Sequence, residues 1–259
     1  MIHTIDFHIP ELDNMKKYPK ELYFLGDTKL LYRKKISIVG SRKPNQYARQ
    51  LTHEIASKLS NNNICIVSGG AIGTDAIAHK AAGSNNTIMV AATGLDKRYP
   101  AINKNIIQNI ENDGLILSQF QEGTTSQRYN FPLRNEVVVA LGDILIVMYA
   151  DENSGTMRSV DYALKMKKKI YVIPHRINES TGTNKLIYEN KASIIYDVEE
   201  FIQTIIPSAK KTILNDDPFK NYCRTNPTYE QAVNKFPSKV FEAELNGDII
   251  IKNSKVYLT

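Results

Sequence analysis

From Leu31 to about Ile206, short apolar runs alternate with segments of helical periodicity, and this alternation dominates the chain. The runs "KISIVG", "NICIVSGG", "NTIMVAAT", "GLILSQF", "DILIVMYA" and "KIYVIP" each read as a strand. Their continuous rather than alternating apolar character predicts burial on both faces. Between them lie "YARQLTHEIASKLSNN", with Leu51, Ile55 and Leu59 spaced to share one helix face, and "TDAIAHKAAG", closed by Gly83. "NKNIIQNIEND", "FPLRNEVVVALG" and "TMRSVDYALKMKK" read as further helices. Strands interleaved with helices in this way predict an α/β fold, a Rossmann-like parallel sheet with helices on both faces, over residues 31–206. Residues 1–30 form a lead-in to it. After Ile206 the pattern changes. "PSAKKTILNDDP" is polar and bounded by proline, so 207–217 reads as a linker. Residues 218–259 read as helix, turn, helix and a terminal hairpin with Asn253–Ser254 at its turn. That order suits a small winged-helix-like domain and, about equally, a helical cap carrying a hairpin.

Composition narrows the class without naming a function. The 259 residues are 42% hydrophobic and 23% charged, as in a globular protein of one large and one small domain. No apolar run is long enough to span a bilayer, and "MIHTIDFHIPELDN" lacks the basic-then-apolar layout of a secretory signal. Of the two cysteines, Cys65 lies inside the apolar run "ICIVSGG" and is expected to behave as a small buried hydrophobe. These features predict a cytoplasmic protein with no membrane partner. The formal charge of +6 is concentrated between Leu31 and Ile206, where 21 Lys and Arg face 16 Asp and Glu. A basic balance permits a polyanion partner and does not demand one.

The usual cofactor of such a sheet is not expected. The first strand runs into "GSRKPNQY", which lacks G-x-G-x-x-G, and the second ends in "SGG", with no acid to grip a ribose. No catalytic constellation emerges either. The five histidines are scattered without metal-ligand spacing, Ser68 is not in a G-x-S-x-G elbow, and no phosphate-binding G-x-x-x-x-G-K-[ST] is present. The expectation is a binding protein with no catalytic residue, cofactor or metal.

Ligands of open parallel sheets bind beyond the carboxyl ends of the strands, and the loops at that edge have unusual composition. "GSRKP" brings Arg42 and Lys43; "SGGAIGTD" brings Gly69, Gly70 and Gly73 into a helix start suited to an anion nest; "ENSGT" puts Ser154 and Gly155 before another helix. "TGLDKRYP" is a further polar loop. "SQRYNFPLRNE" gathers Arg128, Tyr129, Phe131 and Arg134. Flat rings beside guanidinium groups suit a chain of stacked bases joined by phosphates. Taken singly, each feature is also compatible with a sharp turn or an ordinary helix entry.

As an ordered set, "IVGSR", "SGGAIGTDAIAH", "GLDKRYP", "FPLRN" and "SGT" resemble the motifs of the DNA-processing protein A family (DprA, also called Smf), over roughly residues 18–190. The lead-in "PKELYFLGD" is similar too. The resemblance implies a homodimer that binds and protects single-stranded DNA and passes it to the RecA recombinase during natural transformation. It implies DNA contacts at Arg42, at Gly69, Gly70, Ala71 and Gly73, at Arg128, and at Phe131, Arg134 and Asn135. Within that pattern Glu136 stands where a basic residue often follows the asparagine, which would weaken the positive potential of the pocket. Gln119 and Ser159–Val160 are further departures. Two other functions share the fold. A nucleotide phosphoribohydrolase would need P-G-G-x-G-T-x-x-E, whereas "SGGAIGTD" lacks the proline, has an extra residue and places Ile77 where the glutamate is required. A non-catalytic nucleotide sensor would use the same rim and saturate with a mononucleotide.

Overall fold

The computed structural model describes residues 1–206, 218–223, 225–245, 247–252 and 254–258. The linker expected at 207–217 and Asn253 of the expected hairpin turn lie outside the described residues. The chain divides into two compact units, Met1–Ile205 and Ile206–Thr259.

The first unit is built on a nine-stranded sheet. The six apolar runs become β3 (Lys35–Val39), β4 (Cys65–Ser68), β5 (Thr87–Val90), β6 (Leu115–Ser118), β7 (Leu145–Val147) and β8 (Ile170–Val172). They pair in parallel in the order β6-β5-β4-β3-β7-β8. Every residue of β3, β4, β5, β6 and β7 is buried, as the continuous apolar runs require. Short strands extend both sides. β1 (His3–Thr4) and β2 (Tyr23–Gly26) come from the lead-in, and β2 pairs antiparallel with β6. β9 (Ser193–Ile194) pairs in parallel with β8. The sheet is therefore mixed and mostly parallel. The lead-in strands have only two and four residues, too few for periodicity to reveal them.

The helices that connect the strands are α1 (Gln46–Asn61), α2 (Thr74–Ala82), α3 (Lys104–Asp113), α4 (Asn130–Leu141), α5 (Gly155–Lys165), α6 (Thr181–Tyr188) and α7 (Val198–Ile205). The strand order grows outward on one side from β3 to β6 and then restarts on the other side at β7. With right-handed crossovers, that reversal puts α1–α3 on one face of the sheet and α4–α5 on the other. On α1 the buried stripe is Ala48, Thr52, Ile55, Ala56 and Leu59, with Leu51 only at its margin. The Asn45 side chain caps this helix by accepting from the Ala48 N–H at 2.8 Å. α4 is buried nearly all round, because the lead-in covers the side turned away from the sheet. There Glu136, itself buried, accepts the Lys16 N–H at 2.8 Å. Lys35, also buried, reaches Glu11 at 2.6 Å and the Leu31 carbonyl at 2.6 Å, tying the same lead-in to the base of β3.

The second unit comprises α8 (Pro218–Cys223), α9 (Tyr229–Lys235), α10 (Pro237–Leu245) and the antiparallel hairpin of β10 (Ile249–Lys252) and β11 (Lys255–Leu258). Thr228 opens α9 with a reciprocal cap. Its hydroxyl accepts the Gln231 N–H, and the Gln231 side chain accepts the Thr228 N–H. Phe219, Cys223, Ala232, Val240, Ile249 and Val256 form its own core. The last pair of the hairpin register is Lys252↔Lys255. Both cysteines are buried, and burial pushes the Cys65 thiol up to about 12, so it serves as a packing residue. Among the described residues no helix is long and apolar enough to cross a membrane.

Candidate functional site

At the carboxyl ends of β3, β4 and β7, where the strand order reverses, the loops surround an open cleft of about 440 Å³. Its walls carry Ser41 and Arg42 from the loop after β3, Gly69 and Ala71 from the turn after β4, Asp75 from the start of α2, Phe131, Arg134 and Asn135 from α4, and Ser154, Gly155 and Ser159 from the start of α5. A smaller hollow of about 90 Å³ continues it toward Ile72, Ala92, Tyr99 and Pro100. Loops that are far apart in sequence thus meet at one place, together with the starts of three helices.

The turn after β4 shows why glycine is required there. Gly73, the residue before α2, has φ of +81°, and a Cβ on it would lie 2.5 Å from the Arg42 carbonyl oxygen. Its flank is fixed by Thr74, whose N–H and hydroxyl both donate to the Ser41 carbonyl at 3.1 Å. The loops after β3 and β4 therefore form one rigid rim. At Gly69 a Cβ would lie 2.0 Å from Arg134 Nη1, so the absent side chain makes room for the arginine.

Arg134 lines the cleft, and its guanidinium is also bonded within the protein. It is 5% exposed and lies under the rim. Nη1 donates to the Gly69 carbonyl and, at 3.0 Å, to the Val90 carbonyl, while Nε donates to Asn135 Oδ1 at 3.1 Å. These bonds brace the ends of β4 and β5 and orient the Asn135 amide at the cleft. Burial pulls the guanidinium below its ordinary range, opposed by Asp75 and reinforced by Arg42. Asp75 is pushed up by burial, against the pull of Arg134 and of the Ala71 N–H, which it accepts at 3.2 Å. The exposed cation of the cleft is Arg42. Its Cζ stands 5.5 Å from the centroid of the Phe131 ring, and the Tyr99 ring is 6.2 Å from Phe131 at 51°. Phe131 is half-buried and contributes to the wall rather than the core.

Of the other residues singled out from sequence, Gly70 and Gly73 shape the rim from behind. Lys43 and Arg128 are exposed and do not line the cleft. Ser154 Oγ is buried without a partner at the opening of α5, on the cleft wall. Glu136 does not face the cleft, so its charge does not act where the sequence pattern placed it; it binds the lead-in instead. Ser159 is buried against the cleft. Sequence reasoning missed Tyr99, although "DKRYP" contained it, and missed Asn130. Asn130 is fully buried and donates to the Ala92 carbonyl at 2.9 Å and the Thr125 carbonyl at 3.2 Å, fixing the approach to α4.

His79, beneath the rim on α2, is a structural residue. Its Nδ1 meets Thr87 Oγ1 at 2.7 Å, and burial, with Arg134 nearby, pushes it down to about 3. The unfolded chain protonates this histidine below its ordinary value near 6.5, and the folded protein does not. His79 should therefore cost about 1.4 kcal/mol of stability for each pH unit of acidification from about 6.5 toward 3. Urea unfolding at several pH values in that range should give a slope for the wild type that exceeds that of His79→Gln by one proton. Asp75 acts in the opposite direction but is common to both proteins, so equal slopes would refute the assignment.

The comparisons with known proteins agree with this geometry. The family model of DNA recombination-mediator protein A matches residues 2–206. Protein Smf of Synechocystis sp. is 33% identical over 197 residues, covering 72% of this chain and 49% of the relative. DNA processing protein DprA of Streptococcus pneumoniae is 34% identical over 183 residues, covering 69% of this chain and 64% of the relative. The chain thus spans about half to two thirds of the length of these relatives. A solved structure of DNA processing protein A from Helicobacter pylori, described for its single-stranded DNA binding mode, superposes with a TM-score of 0.78 at 40% identity, over 80% of this chain and 96% of that one. The X-ray structure of DprA from Streptococcus pneumoniae gives a TM-score of 0.72 at 31% identity, over 78% and 73% of the two chains. The Rossmann-like unit, its rim of glycine and arginine loops and the matched residues all lead to one conclusion: this chain belongs to the DNA recombination-mediator protein A family.

Proposed function

We propose that this protein binds single-stranded DNA in the cleft at the carboxyl edge of its sheet, protects it, and acts as a homodimer that loads the RecA recombinase during natural transformation. The observation that carries the binding step is the Phe131 ring beside the Arg42 guanidinium, next to the glycine turn. A base stacks on the ring, a phosphate meets the cation, and the N–H groups after β4 face the strand. Such a site selects single strands, because a base must be splayed out of its stack to reach Phe131. Protection and transfer to the recombinase rest on membership of the family. The order of the second unit, α8, the isolated Thr228–Lys255 bridge, α9, α10 and the hairpin, supports the reading of residues 218–259 as a winged-helix-like domain.

A gel shift with single- and double-stranded oligomers of equal length and several sequences tests the function. The expected result is sequence-tolerant binding of single strands in preference to duplex. Its log–log salt slope should be about −0.7 per neutralised phosphate. Tighter binding to duplex, or a flat salt response, would defeat the proposal. Every residue of the cleft lies in Met1–Ile205, so deleting residues 218–259 is expected to leave single-strand affinity largely unchanged. A folded truncation with greatly weakened binding would show that the second unit contributes to the site.

A further inference from the structure

A second hollow, of about 600 Å³, opens at the same edge of the sheet, between the start of α1 and the segment after β8. Its walls include Asn45, Tyr47, Pro174, His175, Arg176 and Glu179, none of which lines the main cleft. Tyr47 is 44% exposed, although it is large and aromatic. His175 is held edge-on between two tyrosine rings, Tyr47 at 5.7 Å and 89° and Tyr149 at 5.1 Å and 73°. Its Nε2 lies 2.9 Å from the Met148 carbonyl, which only accepts, so Nε2 carries the proton. That leaves Nδ1 as an acceptor, and this buried atom has no partner. Glu179 is engaged by the Asn45 amide at 3.0 Å, whereas Arg176 is exposed.

Tyr149 links the two hollows. Ser41, in the main cleft, donates its N–H to the Tyr149 carbonyl at 2.8 Å, and the Tyr149 ring packs on His175. β8 is two strand intervals from β3, which is about 10 Å at the usual spacing of neighbouring strands. A few nucleotides cover that distance, and the exposed Lys43 falls in sequence between Arg42 of the main cleft and Asn45 of the second hollow.

We propose that the hollow of Tyr47, His175 and Arg176 is a second base-stacking subsite, occupied by nucleotides of a single strand that continues out of the main cleft. This inference rests on the reading of the main cleft as a single-strand site. Tyr47 supplies the stacking face, Arg176 meets a phosphate, and His175, held between Tyr47 and Tyr149, keeps the Tyr47 ring in place.

Fluorescence anisotropy with oligothymidylates of increasing length tests it. In the wild type, affinity should rise with length once the strand extends beyond the main cleft. Tyr47→Ala should remove that gain, weakening long oligomers roughly tenfold while leaving the shortest bound oligomer unaffected. Tyr47→Phe should bind like the wild type, and Arg176→Ala should reduce the salt slope of long oligomers by about 0.7. A long oligomer carrying 5-iodouracil should crosslink to the peptide containing Tyr47 as well as to that containing Phe131. If Tyr47→Ala folds normally and binds every length like the wild type, or loses short and long oligomers alike, the subsite is refuted. If Tyr47→Ala does not fold, Arg176→Ala and the crosslinked peptide decide the matter. Wild-type protein that binds no single strand would overturn the main reading itself, whereas loss of binding in Phe131→Ala with none in Tyr47→Ala or Arg176→Ala overturns only the subsite.

Discussion

Arg134→Met should lower folding stability by about 3–5 kcal/mol, the cost of removing one member of a buried charged network. The physical reason is the position of the guanidinium beneath the rim. Without it, the Gly69 and Val90 carbonyls lose their donor, and the Asp75 carboxylate is left buried without its nearest positive charge. Each carbonyl stranded in this way costs about 1–3 kcal/mol. Gly69→Ala should act through the same contact, since its Cβ would occupy the position of Arg134 Nη1. Asp75→Asn combined with Arg134→Met should recover part of the loss, because the second change removes the uncompensated carboxylate. Urea denaturation of the two single variants and the double variant measures this coupling. An Arg134→Met protein within about 1 kcal/mol of the wild type, but with much weakened DNA binding, would make Arg134 a direct phosphate contact after all.

Arg134 also shows where the sequence was legible and where it was not. The six parallel strands were readable because strands buried on both faces have no choice but continuous apolar residues. The position of the glycine turn was readable because Gly73 must take a positive φ before α2, and the basic residues after β3 fall at the same carboxyl edge. The direction in which a charged side chain points was not readable. Arg128 and Arg134 stand six residues apart in one segment, yet the first is exposed and the second is buried under the rim. A helix that begins at Asn130 rotates successive residues by about 100°, and only the fold shows which face meets the sheet. Glu136 illustrates the same point in reverse. Two residues after Arg134, it turns to the lead-in, a segment whose strands are too short for periodicity to find. Tyr99 was hidden for another reason: it reaches Phe131 across the cleft from a loop whose course no spacing rule predicts.

Phe131→Ala is expected to weaken single-strand binding by about 1–3 kcal/mol, the usual contribution of one base stacked on an aromatic ring. The loss should be similar for all sequences, because every base presents a flat face. It should leave the salt slope unchanged, since no phosphate contact is removed. Folding stability should fall by less than the 3–5 kcal/mol typical of a core phenylalanine, because the ring is half-buried and borders open cleft on one side. Arg42→Ala provides the contrasting signature, a salt slope reduced by about 0.7, as expected of a guanidinium proposed to neutralise a phosphate. The two side chains touch, so their effects should not be additive. Removing Phe131 also deprives Arg42 of the ring that orients it, and a double-mutant cycle should show coupling of about 0.5–1 kcal/mol. Phe131→Trp, which keeps a flat ring on the cleft wall, should retain most of the affinity. Thermal denaturation together with anisotropy titrations at several salt concentrations separates these quantities. A Phe131→Ala protein destabilised by the full cost of a core residue, whose folded fraction still binds DNA like the wild type, would show that the ring supports α4 and does not contact the strand.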